Sequence, residues 1–253
     1  NRFTSANPLI YPPVGTFTAT VLPGGTDWID TVSQDAAITN ASFSISNGNE
    51  NSKYLFSLGY LNREGIMRFS GFKRRNMRLN SEAKIGDKLT VGQHMNISFS
   101  DTRPGVDEAI EGAIRITPLL PAYFDDGAFA GTNGADLGNT RNPLAQLKRS
   151  ENDFFKRLNF VGDIYASYEL IDGLTLKTNI AGGLNFFNAR QFTSVTPEHS
   201  EIVTKNTLIE QSQNGYNWNW TNTVNYVGSF GNHNINALLG MEAVKNGGKG
   251  HGV

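Results

Sequence analysis

The chain has 253 residues, a formal net charge of −1 and no cysteine. That balance gives no general drive toward nucleic acid or acidic surfaces, and the lack of cysteine excludes disulfides, thiol chemistry and Cys-ligated metal. Aromatic residues at 11%, 27 glycines and a mean hydropathy of −0.35 suit a turn-rich β protein. No apolar run reaches the roughly 18 residues of a transmembrane helix. A membrane strand escapes that test, because it shows lipid only alternate side chains.

In chain order, residues 1–39 hold four prolines, a Gly24-Gly25 pair and Trp28 with no sustained period, and read as an ordered loop. The start, Asn1-Arg2-Phe3, lacks an initiator Met, a charged n-region and an apolar h-region, as after signal removal or inside a longer protein. A first hairpin is expected at about 40–63, turning at Asn47-Gly48-Asn49-Glu50-Asn51-Ser52, with Tyr54 and Tyr60 flanking Phe56 and Leu58. A second, at about 73–101, turns at Gly86-Asp87-Lys88. It sets Leu89, Val91, Met95, Ile97 and Phe99 against Thr90, His94, Asn96, Ser98 and Ser100.

Residues 102–155 are too long for a structureless connection. Val106 to Thr117 reads as a short helix with Asp107 and Glu108 in its first turn and Pro118 as its stop. An extended stretch then turns sharply at Asp125-Asp126-Gly127. The third hairpin, about 156–187, alternates most clearly and turns at Ile171-Asp172-Gly173. One face carries Leu158, Phe160, Ile164, Tyr168, Leu176, Ile180 and Phe186; the other carries Asn159, Asp163, Tyr165, Lys177 and Asn179. After a long connection at about 188–214, a fourth hairpin spans about 215–245 and turns at Gly231-Asn232-His233. Tyr216, Trp218, Trp220, Val224 and Tyr226 share one of its faces. Tyr216 and Tyr226 then stand roughly 25 Å apart along a membrane normal, the height of a barrel's apolar band. A further external loop is expected from Lys245, and both ends read as cut from a longer protein.

Short turns at one end of the strands and long loops at the other are the plan of an outer-membrane β-barrel. Its aromatic girdle is expected at Tyr54, Tyr60, Tyr168, Phe186, Tyr216, Trp218, Trp220 and Tyr226. The opposite faces are rich in Asn, Ser, Thr and Gly, which suits a hydrated lumen. Two other architectures fit the alternation: a soluble carbohydrate-binding β-sandwich, and a complete eight-stranded surface barrel with a structural or adhesive role.

Motifs for chemistry are sparse. Ser81-Glu82-Ala83-Lys84 matches a Ser-x-x-Lys pattern, but on a strand Ser81 and Lys84 point to opposite faces. His94, His199, His233 and His251 have no metal-ligand spacing, and Asp125-Asp126 lacks the spaced oxygens of a calcium loop. Gly247-Gly248-Lys249 has no phosphate-loop context. No enzyme, cofactor or metal site follows. The basic run Lys73-Arg74-Arg75, with Arg78, is the one charge cluster. In a barrel Arg74 and Arg78 face the lumen, while Arg75 stands on the lipid side at the outer rim, within reach of head-group phosphates.

Gly25-Thr26-Asp27-Trp28-Ile29-Asp30, the hairpin from Asn40 to Tyr60, Glu64-Gly65-Ile66 and the run from Phe72 to Asn80 together resemble the SusC/RagA-type TonB-dependent transporters of Bacteroidetes outer membranes. The likeness is dense over about residues 25–101 and thins beyond. Asn47 replaces the first Gly of the family's usual pair, and Arg75 and Met77 stand where it often has aromatics. The resemblance implies an all-β, antiparallel transmembrane section, about eight strands of a 22-stranded barrel, with long extracellular loops, one containing a short helix. It also implies import of oligosaccharides or peptides, a SusD-like lipoprotein lid, and drive from TonB-ExbB-ExbD through a plug outside these residues. No nucleic-acid partner is implied. Trp28, Arg115, Tyr123, Phe124, Asp125 and Asp126, on predicted external loops, are the candidate ligand or lid contacts.

Overall fold

A computed structural model describes residues 24–133 and 137–253. The expectation of an ordered loop over 1–39 therefore lies outside the described residues as far as residue 23. Eight strands follow: β1 (Ile38–Gly48), β2 (Ser52–Glu64), β3 (Gly71–Ile85), β4 (Leu89–Arg103), β5 (Phe154–Ile171), β6 (Leu174–Thr193), β7 (Thr207–Phe230) and β8 (His233–Gly252). They form one sheet in sequence order, with every neighbouring pair antiparallel and β1 and β8 as open edges. The closed eight-stranded barrel considered above is thus not what these residues form.

Each short turn closes by local chemistry. At the first, Asn49 Oδ1 accepts from the amides of Asn51 and Ser52 at 2.9 and 2.8 Å, an Asx turn. The turn between β5 and β6 needs glycine: Gly173 has φ +78°, and a Cβ there would stand 2.1 Å from the Val227 carbonyl. The turns step regularly across the sheet. Lys53, beside the first turn, pairs with Glu82, three residues short of the next turn at Ile85. Leu89 pairs with Tyr168, three short of Ile171, and Leu174 with Tyr226, four short of Phe230. With the turns level, this is about 33 Å of rise across six interstrand spacings of about 29 Å in all, a strand tilt of roughly 45–50°. That is close to the tilt of closed transmembrane barrels, about 35–45°.

At the opposite end the long segments fold together. Three helices, α1 (Trp28–Val32), α2 (Asp107–Arg115) and α3 (Pro143–Arg149), surround a core of Trp28, Val32, Ala109, Ile116, Leu120 and Leu147. The loop predicted to hold one helix therefore holds two. The signal for α3 was readable: Asn142 caps it and Pro143 opens it, the preferred pair for a helix start. The 188–214 connection is also shorter than expected, because β6 runs to Thr193 and β7 starts at Thr207. Likewise β8 continues past Lys245 to Gly252, paired with β7, where a loop was expected. Those extensions are mostly polar and break the strict alternation, so the period gave no contrast.

Asn142 is 1% exposed and ties this lobe together. Its Oδ1 accepts from the Ala145 amide at 3.0 Å, while its Nδ2 donates to the Ala122 and Ala130 carbonyls at 2.9 and 2.7 Å. Arg149 and Glu198 join α3 to the 194–206 loop by a two-armed ion pair of 2.6 and 2.9 Å, and the Glu198 side chain is 6% exposed. His199 spans the same junction, its Nε2 2.8 Å from the Asn139 carbonyl and its Nδ1 2.7 Å from that of Glu201. Below it, buried Asp153 accepts from the Phe192 amide at 2.8 Å. Burial holds its carboxyl above the usual range, although that bond and Arg190 oppose the shift.

Two outcomes follow. Asn142→Ala removes the α3 cap, a loss of about 1 kcal/mol, and takes a buried donor from two carbonyls at about 1–3 kcal/mol each. Amide exchange across α3 should accelerate while the β5–β6 ladder stays protected; unchanged exchange at Ala145 would refute the tie. Asp153 has a folded pKa above its unfolded one, so its contribution is fully present below the unfolded value and is lost as pH rises through the folded value. Protection of the Phe192 amide should accordingly fall from acid toward neutral pH, and Asp153→Asn should flatten that dependence.

Candidate functional site

The ladder assigns every strand residue to one of two faces. Row by row, one face presents Phe43, Leu58, Met77, Ile97, Phe160, Leu184 and Tyr216, then Ile45, Phe56, Leu79, Met95, Gly162, Gly182 and Trp218. Many of these large apolar side chains are exposed, among them Phe43, Leu58, Ile164, Ile180 and Leu239. All eight predicted girdle residues, Tyr54, Tyr60, Tyr168, Phe186, Tyr216, Trp218, Trp220 and Tyr226, fall on this face. Tyr54, Tyr168 and Tyr226 lie within four residues of their turns. Two polar pairs lie on this face: Gln93 Nε2 donates to Ser81 Oγ at 3.2 Å and Trp220 Nε1 to Thr178 Oγ1 at 2.9 Å. Such pairing matters where no water is at hand.

The opposite face is polar and connected. Tyr165 reaches across β4 to donate to Glu82 at 2.6 Å. It can do so because it lies over Gly92, where a Cβ would stand 2.5 Å from the phenol. Lys53 approaches Glu82 at 3.6 Å, the His94 ring stacks on Tyr165 at 5.7 Å, and Lys177 Nζ sits 4.6 Å from the same ring's centroid. His94 Nδ1 pairs with Asp163 at 3.0 Å, and Asn179 donates to Asp163 at 3.4 Å. Further up, Asn185 bonds Asn159 and Arg157 covers Phe187. This is a wall of fixed donors, acceptors and charges able to hold polar matter in water. The sequence could place these residues on one face but not in contact, since the partners lie up to 83 positions apart. Among the described residues no three His, Asp or Glu groups converge as a metal site.

The candidate contacts on the loops separate. Trp28 is only 3% exposed and donates from Nε1 to the Thr117 carbonyl at 3.2 Å. Its bulk serves the lobe core, so it is not on the surface. Arg115 is exposed, paired with Glu111 at 2.7 Å, and lines a polar hollow of about 290 Å³ with Glu108, Arg141, His199 and Glu201. Tyr123 is 46% exposed and stacks on Phe129 at 5.0 Å. Phe124, Asp125 and Asp126 make the turn beside it: the Phe124 amide donates to the Ala128 carbonyl, Asp126 Oδ1 accepts from the Ala128 amide, and Gly127 has φ +85°. Asp125 and Asp126 are exposed and Phe124 half-buried. Tyr123 to Asp126 thus form one surface patch, and Arg115 belongs to the separate hollow. Glu108, Arg141 and Glu201 went unpredicted, having no sequence signal beyond their charge.

No family model matches the chain. It is 31% identical over 221 residues to TonB-dependent receptor P26 of Formosa agariphila, covering 87% of this chain and 22% of that protein. To TonB-dependent receptor SusC of Bacteroides thetaiotaomicron it is 26% identical over 242 residues, covering 86% of this chain and 24% of that one. The chain therefore spans about a quarter of the length of these relatives. In fold it is similar to the RagAB peptide importer in its closed-closed state, with a TM-score of 0.72 at 20% identity over 100% of this chain and 30% of that one. It is also similar to P. aeruginosa FpvA bound to a heterologous pyoverdine, with a TM-score of 0.56 at 10% identity over 86% and 27%. The curated relatives are named as receptors and the RagAB neighbour as an importer. By sequence and fold, the chain is a section of the β-barrel of a SusC/RagA-like TonB-dependent transporter.

Proposed function

We propose that this section forms part of the wall of an outer-membrane active importer of oligosaccharides or peptides. Its apolar face meets lipid, its polar face lines the lumen, and its packed lobe stands at the extracellular mouth. The observation that carries this reading is the unbroken two-faced sheet with every short turn at one end and the lobe at the other. A SusD-like lipoprotein lid is placed over the lobe, with the Tyr123–Asp126 patch and the Arg115 hollow as contacts for lid or cargo. Drive comes from TonB-ExbB-ExbD through a plug outside this chain. The relatives from Formosa and Bacteroides favour a Bacteroidetes outer membrane. Division of the chain into a mouth region over 1–39 and barrel from 40 onward belongs to the same proposal. A soluble carbohydrate-binding sandwich is disfavoured by the exposed apolar face, which such a protein would have to bury.

In the intact receptor, Ile180→Arg places a charge on the lipid side and should cost about 2–4 kcal/mol near mid-membrane. Thr221→Arg, on the polar face beside Glu242, should be nearly neutral. Urea unfolding in lipid vesicles would separate them, and equal costs would reverse the facing. For transport, the receptor should co-purify with a lipoprotein from the external surface, and its uptake of labelled oligosaccharide or peptide should stop when TonB is deleted. Uptake undiminished without TonB would sink the importer reading.

A further inference from the structure

We infer that the apolar face carries a site for a single phosphorylated glycolipid of the external leaflet, with its acyl chains in a groove spanning β1 to β4 and its phosphate on Arg75 and Lys73. The inference rests on the membrane-barrel reading above and adds a defined ligand to it.

The groove has a volume of about 590 Å³ and is lined by Phe43, Leu58, Tyr60, Met77, Ile97 and Phe99. Arg75 belongs to the same lining, between Tyr60 and Phe99 in the register. It lies ten residues from the β3 turn, which at the tilt derived above is about 22 Å up, near the top of an apolar band about 25 Å tall. Directly beyond it on the same face, Asn62, Lys73, Asp101 and Arg103 contribute to a polar hollow of about 260 Å³. An apolar groove topped by Arg75 and a polar, mixed-charge hollow has the shape and polarity of an amphiphile.

The charges decide which amphiphile. Lipid tails are as apolar as the groove, so burying chains there confers no preference over bulk lipid. Preference has to come from the head. On this face Arg75, Lys73 and Arg103 stand against Asp101 and Glu64, and Glu64 is turned to the Ala37 amide at 3.4 Å. Among the described residues, no carboxylate lies within ion-pair distance of Arg75, Lys73 or Arg103. Lys73 and Arg75 are two positions apart on one strand, about 6.6 Å, so both reach one phosphate. Arg75 presents a planar fork matched to phosphate oxygens and Lys73 a point charge.

The test uses the intact receptor in detergent, titrated with bis-phosphorylated lipid A or with lipid A stripped of phosphate, and read by native mass spectrometry. The wild type should bind one phosphorylated lipid at least tenfold more tightly than the stripped one. The double variant Arg75→Gln, Lys73→Gln should lose that preference, and Arg75→Lys should keep most of it. Retained heat-modifiable migration on gels would establish that each variant is folded. Equal binding of both lipids by the wild type, undiminished preference in the double variant, or displacement by millimolar inorganic phosphate would overturn the site while leaving the barrel intact. Recovery of the receptor without membrane or detergent would overturn both.

Discussion

A strand crossing hydrocarbon has no water to satisfy its amides, so each must find a partner in the neighbouring strand. In this chain that requirement is met by seven consecutive antiparallel ladders, the longest pairing twenty residues of β6 with β7 and of β7 with β8. Because side chains alternate with period two, a slip of one residue anywhere would turn an apolar row onto the polar face. The ladder therefore sets the tilt, the separation of faces and the height of every aromatic. The two strands left open at the edges, β1 and β8, carry the same unsatisfied requirement, which neighbouring strands of a closed wall would meet.

Given that register, the two faces do different physical work. One face leaves large apolar side chains exposed, which the proposed wall would turn to lipid, and among them Gln93 pairs with Ser81. The polar face instead builds contacts across several strands, with Tyr165 lying over Gly92 to reach Glu82. A glycine in a strand normally weakens it, but here the missing side chain is replaced by a ring from the next strand. The same device recurs on the apolar face, where Tyr216 lies against Gly247.

The lobe obeys the opposite logic, that of a small soluble domain. Its helices are short, and stability comes from one apolar core and a few buried polar ties. Asn142 satisfies two carbonyls and a helix amide at once, and the Arg149–Glu198 pair binds segments 49 positions apart. Four stretches of chain separated by hairpins share this packing, so the lobe is one body standing on the strand ends.

What the sequence determined by itself was everything periodic and local: four hairpins, their turns, the two faces, and the side on which Arg75 stands. Those features rest on alternation and on turn chemistry spanning a few residues, which a linear reading contains. The SusC/RagA likeness was legible for the same reason, concentrated in the first two hairpins. Tertiary structure decided the rest. It moved Trp28 from the surface to the lobe core, packed α3 into that core, lengthened β6 and β7, and brought Glu82, His94, Asp163 and Tyr165 into one network. It also joined Arg75 to a groove built from four strands. Burial and cross-strand contact depend on the register between distant segments, and no window along the chain contains that register.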